Sequence, residues 1–115
     1  IDQLDAKETL KVLWDPGNNC WCHEEAFPVG YNELKDGYLG HLHIKDVLVD
    51  TPRATLEVKK MGEGQLAKYF DPIAHALRTD GYNGVVSFES VYHPGSGNFE
   101  EGFRECVTFF KKTFS

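Results

Sequence analysis

Gly40-His41-Leu42-His43-Ile44-Lys45-Asp46 alternates apolar and polar residues at the period of a β-strand. Its polar set consists of two histidines and a lysine, whereas a strand with one solvated face more often carries Thr, Ser or Glu there. Imidazoles and an ammonium along one face of a short strand imply that this face looks into a polar pocket. Two other short apolar runs also end in a carboxylate: Val12-Leu13-Trp14-Asp15 before it and Val85-Val86-Ser87-Phe88-Glu89 after it.

The elements between these runs set their relation. Lys11 to Trp14 reads as a strand that stops at the turn signal Asp15-Pro16-Gly17. Residues 16–30 read as a loop, and Tyr31 to Gly37 as a short helix closed by Gly37. The stretch from Val47 to Gly64 reads as an excursion with Leu56-Glu57-Val58 extended. Asp71-Pro72 has the form of a helix start, Asp as N-cap and Pro at the first helical position, with Leu66 to Phe70 adding a turn in front. Gly84 to Glu89 is a third strand, and Asn98 with Glu101 forms a capping box. Phe99, Phe103, Cys106/Val107, Phe110 and Phe114 then recur at helical spacing, a stripe read as core packing.

Strands alternating with helices predict an α/β fold with a parallel sheet and right-handed crossovers. Ligand sites in such folds lie beyond the carboxyl ends of the strands, where Asp15, His43 to Asp46 and Glu89 all fall. A neutral imidazole and two carboxylates suit a divalent cation, Mn, Co, Zn or Mg, with positions left for substrate oxygens. Asp15, His43 and Glu89 are the candidate metal ligands. Singly, each has a plainer reading: a turn residue, a hydrogen-bonded core histidine, a strand-end cap. Three equivalent strand ends together favour a site.

Around these ligands, His41 sits one layer deeper on the same strand face and reads as support for His43. Lys45 is a candidate contact to a substrate hydroxyl, carbonyl or phosphate. Asp46 reads as a further substrate contact, or as the group that orients Lys45 or the following loop. Asn18 is a candidate hydrogen-bonding group, and Trp21 a flat surface for a sugar ring at the pocket mouth. Cys20-Trp21-Cys22-His23 lacks the spacing of a structural zinc site, and Gly62-Glu63-Gly64 matches no phosphate loop.

Size and charge bound the rest. With 115 residues the chain is one small domain, and 41% apolar content argues for a packed core. A net charge of −6 opposes binding to phosphate backbones or anionic lipid. No apolar run reaches the roughly 20 residues of a membrane span. Three cysteines without framework spacing point to a reducing, cytoplasmic setting.

The ordered set Val12-Leu13-Trp14-Asp15-Pro16-Gly17-Asn18, His41-Leu42-His43-Ile44-Lys45-Asp46, Met61-Gly62-Glu63-Gly64, Gly81-Tyr82-Asn83-Gly84 and Ser87-Phe88-Glu89-Ser90 resembles the carboxy-terminal half of a xylose isomerase-like TIM barrel, the superfamily of sugar (phosphate) isomerases and epimerases. The resemblance covers nearly the whole chain, residues 1–115, as one domain. It implies a partial (β/α) TIM barrel of about three βα units with outer helices, about half of the roughly 250 residues of a full barrel.

In that family two Glu, one Asp and one His hold the metal. Asp15, His43 and Glu89 match three of those places, and the other Glu, on an earlier strand, has no counterpart here. A complete member moves a proton between adjacent carbons of a ketose or inosose with paired carboxylates. The resemblance therefore implies a sugar or polyol substrate and Glu89 as acid/base, with the isolated chain lacking the full relay. Asn18, Leu56 and Val58 stand where members with apurinic endonuclease activity carry extra ligands, which makes that activity the weaker relation. Against these enzymatic readings stands a non-catalytic half-barrel that pairs with a second copy, as a homodimer, or with an amino-terminal half.

Overall fold

The computed structural model describes all residues, Ile1 to Ser115. Three short strands, β1 (Val12–Trp14), β2 (Leu39–Ile44) and β5 (Val85–Phe88), form a parallel sheet in the order β1-β2-β5. Between β2 and β5 an antiparallel hairpin, β3 (Asp46–Asp50) and β4 (Thr55–Lys59), leaves the sheet. The extended reading of Leu56 to Val58 is its second strand. Helices α1 (Pro16–Trp21), α2 (Ala67–Thr79) and α3 (Phe99–Phe114) follow β1, the hairpin and β5. This is a mixed α/β arrangement consistent with part of a TIM barrel, and its three-stranded sheet does not close on itself.

The register assigns the two faces of the sheet. His41 lies opposite Leu13 on one side and Val85 on the other, and His43 opposite Ser87, so these five side chains share a face. Leu42 and Ile44, on the opposite face, are fully buried against a core that includes Phe70, Ile73 and Leu77. The first face is open: Leu13 is 54% and Val85 58% exposed. In a barrel this face points inward.

The two Asp-Pro pairs behave differently. At Asp15-Pro16 the helix does begin, so residues 16–30 are not a plain loop. The Asp15 carboxylate accepts a hydrogen bond from the Gly17 N–H, and Pro16 takes the first helical position. At Asp71-Pro72 the helix is already running, and Pro72 sits inside α2. The reason is the continuous stripe Leu66, Phe70, Ile73, Ala74 and Leu77, all buried, whose packing carries the helix through the proline. Pro72 and Lys68 lie on the exposed side, where the Lys68 carbonyl deprived of its usual donor can meet water.

Tyr31 to Gly37 is a succession of turns with only a trace of helix, Gly37 taking a φ of 88°. The capping box at Asn98 and Glu101 is complete. The phenylalanine stripe of α3 is only partly core. Phe110 packs on Phe88 at 5.8 Å and Phe114 on Phe70 at 6.3 Å, but Phe99 and Phe103 are 57% and 40% exposed. No helix is long and apolar enough to cross a membrane.

Candidate metal centre

Each site residue owes its position to the end of a strand. Asp15 directly follows β1 and is fixed by its role as the cap of α1, which leaves one carboxylate oxygen for other partners. His43 projects from β2 on the open face. Glu89 follows β5, and its backbone N–H continues the ladder to the Ile44 carbonyl at 2.8 Å. The ligand atoms of Asp15, His43 and Glu89 all lie within 4.8 Å of one another. Asp15 is buried, while His43 and Glu89 keep about a third of their side chains open, so the centre is closed on one side and reachable from the sheet face.

Lys45 completes the arrangement in a way that its sequence position does not announce. Its ammonium donates to Asp15 Oδ2 at 2.6 Å and to Glu89 Oε2 at 2.7 Å. The Nζ also lies 4.4 Å from the centre of the Trp21 ring, a cation–π contact. Burial works against the charge of Lys45, but the hydrogen bonds and charges of Asp15 and Glu89 outweigh it and hold the ammonium above its ordinary pKa. The group expected to meet substrate is thus engaged by two of the three candidate ligands, and Trp21 covers it.

His41 supports the centre from below. Its Nε2 is 2.7 Å from Ser87 Oγ, and its ring lies 5.7 Å from that of His43. Ser87 was not singled out as a site residue, although its place opposite His43 in the register makes it the natural partner. Asn18 is exposed on α1.

Asp46 is committed elsewhere. It is 1% exposed, and its Oδ1 accepts from the N–H groups of Val47 and Leu66 at 3.0 and 3.1 Å. Its Oδ2 accepts from Gly62 and Gly64 at 3.0 and 2.8 Å. Burial pushes this carboxyl above its usual pKa while the four backbone donors pull it back. With four donors in place the carboxylate has no free direction for a substrate, and it anchors the following loop. Gly64 is required there, because a Cβ would collide with the Asp46 carboxylate, and Gly62 takes a φ of 91°. The turn Gly62-Glu63-Gly64 therefore wraps a side chain and holds no phosphate.

A cleft of about 490 Å³ lies between the end of α1 and the start of α2, with Cys20, Glu24, Gln65 and Tyr69 among its lining residues. None of the three ligand candidates lines it. The acids and the imidazole converge instead on the sheet face.

Polar groups gathered beyond the carboxyl ends of parallel strands occupy the place where α/β barrels carry their sites, and the open three-stranded sheet is consistent with part of such a barrel. A family model described as a xylose isomerase-like TIM barrel matches residues 1–113. The chain belongs to this family. No curated protein matches the chain, and no solved structure does.

Members of the family are often metal-dependent, and the residues present fit a divalent cation. The donor set is two carboxylates and an imidazole, hard to borderline ligands suited to such ions. The carboxylates also converge on a point where a positive charge already rests, the Lys45 ammonium. Asp15, His43 and Glu89 are the residues that would hold the metal.

Proposed function

We propose that this chain carries the metal-binding segment of a sugar (phosphate) isomerase or epimerase, acting on a ketose-like or inosose-type substrate by proton transfer between adjacent carbons. The observation that carries this reading is the convergence of Asp15, His43 and Glu89 within 4.8 Å in a chain of this family. A bound divalent cation, Mn, Co, Zn or Mg, would polarise the substrate carbonyl and its neighbouring hydroxyl, lowering the barrier to removal of the proton between them. Glu89 is the acid/base candidate, since its carboxylate is partly open to the sheet face while Asp15 is sealed beneath α1. His41 and Ser87 hold the floor beneath His43. Trp21 offers an apolar wall for a sugar ring, and Asn18 a hydrogen-bonding group on the solvent side. A second carboxylate, on the strands that complete the barrel, would finish the relay.

The test combines metal analysis with solvent exchange. The purified protein is loaded with Mn²⁺ or Co²⁺, and its metal content is measured after dialysis. A panel of ketoses and inososes in D₂O is then followed by NMR for deuterium uptake next to the carbonyl. One bound metal per site is the expected result for the chain by itself; exchange is expected only with the strands that carry the second carboxylate present, and Glu89→Gln should abolish it there. Failure to retain any divalent metal with the fold intact counts against catalysis.

A second reading is favoured by the open sheet face, where Leu13 and Val85 are both more than half exposed. In this reading the chain is a half-barrel module that pairs with a second copy or with an amino-terminal half to bury that face, because unpaired strand edges template association. Sedimentation of a stable monomer at micromolar concentration would oppose self-association.

A further inference from the structure

We propose that Lys45 is an internal counter-cation which a divalent metal must displace, so that loading the site releases the Lys45 ammonium toward the substrate. The inference rests on the metal-site reading above and adds an exchange step to it. Three observations carry it. Lys45 Nζ lies 2.6 Å from Asp15 Oδ2 and 2.7 Å from Glu89 Oε2, the latter oxygen also 3.9 Å from His43 Nδ1, in a group whose ligand atoms all lie within 4.8 Å of one another. A divalent cation seated between those carboxylates would stand against the ammonium, since both are positive and both draw on the same two acids. The ammonium is also held from its other side by the Trp21 ring at 4.4 Å, so this is a built cradle with three partners.

The resting arrangement has a clear physical purpose. Two carboxylates brought together on a part-buried sheet end repel each other, and a tethered cation removes that repulsion before any metal arrives. The tether is flexible. Lys carries its charge on a four-carbon stem with several rotatable bonds, and the stem of Lys45 runs beside Gly17, where even a Cβ would stand only 3.0 Å from Lys45 Cγ and Cε. A metal that takes over Asp15 and Glu89 leaves the ammonium without its partners, next to Trp21 and the open sheet face. There it can donate to a hydroxyl, carbonyl or phosphate oxygen of a bound sugar. Metal loading and the readiness of the substrate contact become one event.

The experiment has two arms. Mn²⁺ is titrated by calorimetry into the wild type and into Lys45→Met, which keeps the length of the stem and removes the charge. The variant should bind Mn²⁺ at least tenfold more tightly, because no internal cation competes. In the second arm the wild type is treated with an N-hydroxysuccinimide acetate, with and without saturating Mn²⁺. Acetylation at each lysine is read by peptide mass spectrometry, with exposed Lys112 as the internal reference. Lys45 should be protected without metal and become at least fivefold more reactive relative to Lys112 when metal is bound.

Equal or weaker Mn²⁺ binding by a folded Lys45→Met variant overturns the inference, and so does a Lys45 that stays protected in the metal-loaded wild type. Should Lys45→Met not fold, the labelling arm on the wild type decides alone. Metal bound by the wild type with neither effect leaves the metal site standing and removes the exchange. No Mn²⁺ binding by either protein removes both.

Discussion

Asp46 and the pair Asp15–Glu89 lie within one small sheet end and are neutralised in two different ways. Asp46 is surrounded by four backbone N–H groups from Val47, Gly62, Gly64 and Leu66. Those donors belong to the fold and cannot leave without unmaking it. Asp15 and Glu89 share a single flexible ammonium, Lys45, the residue directly before Asp46. One strand end thus sends adjacent side chains to opposite tasks. A carboxylate held by fixed donors is a structural rivet, whereas one held by a movable cation is a site in a resting state. What separates them is whether the neutralising partner can be exchanged, since burial alone does not: Asp15 is nearly as buried as Asp46.

The contrast is broken most severely at Asp46. Asp46→Asn turns one acceptor oxygen into an NH₂ facing two N–H donors, so at least two charge-assisted hydrogen bonds vanish. At about 1.5–3 kcal/mol for each hydrogen bond to a charged group, the loss is about 3–6 kcal/mol. For a small domain that is most of the total stability, and urea denaturation should show a much lower midpoint or no folded baseline. Glu89→Gln, on a side chain that keeps 29% of its surface open, should cost less than about 2 kcal/mol in the same assay. If both substitutions destabilise equally, the distinction between rivet and resting site is wrong.

The ranking should invert for metal affinity. His43→Ala and Glu89→Gln each remove a proposed ligand and should weaken Mn²⁺ binding by roughly a hundredfold or more, since even partners that only orient ligands account for about 10–100-fold. Calorimetry on each folded variant checks this. A full-strength Mn²⁺ isotherm for His43→Ala would move the metal away from β2.

How much of this was legible before the structure follows from where each signal resides. The middle parallel strand was readable from alternation at period two and the outer two as short apolar runs ending in a carboxylate, and register then brings Asp15, His43 and Glu89 together at equivalent ends. The role of Lys45 was not readable, since a lysine on a pocket-facing strand is equally suited to a substrate and to its own neighbouring acids. Only the distances between three separate strand ends distinguish them. Asp46 was harder still. Three of its four partners are backbone N–H groups some sixteen to twenty residues away, and backbone has no sequence signature. The only trace is that Gly62 and Gly64 are both glycine, a pattern shared with any tight turn. The Asp-Pro signal reads as a turn at Asp15-Pro16, where a helix starts, and as a helix start at Asp71-Pro72, where the helix is already running, because a local cap signal competes with long-range packing. At Asp71-Pro72 the buried stripe from Leu66 to Leu77 prevailed.

Tyr31 repeats the fixed-partner pattern elsewhere in the core. Its hydroxyl donates to Asp80 Oδ2 at 2.9 Å, and burial, followed by that hydrogen bond, pushes its phenol far above the usual tyrosine range. Because the native state keeps this proton to higher pH than the unfolded chain does, the resulting stability is present below about pH 10 and is lost as pH rises through the folded value. Tyr31→Phe should therefore cost about 1.5–3 kcal/mol at neutral pH. In a titration followed at 295 nm, Tyr38 and Tyr82 should also titrate above the ordinary range, and Tyr31→Phe should remove the latest step of the wild type, the tyrosine held back until the protein unfolds. A titration of Tyr31→Phe that keeps the delayed tyrosine would assign it to another residue.

The smallest effect is expected at the floor of the site. Ser87→Ala deletes the partner of His41 Nε2 and leaves the fold and all three proposed metal ligands in place. One neutral hydrogen bond in a part-buried setting contributes about 0.5–1.5 kcal/mol, so the urea midpoint should shift only slightly. His41 would then be free to turn, and the His43 ring 5.7 Å away would lose part of its packing. Mn²⁺ affinity should fall by less than tenfold, a tenth or less of the loss at His43→Ala. An unchanged affinity would make the His41–Ser87 pair a filler of the barrel interior. A loss as large as that of His43→Ala would place His41 among the ligands, and the resting site would then extend one layer deeper into the sheet.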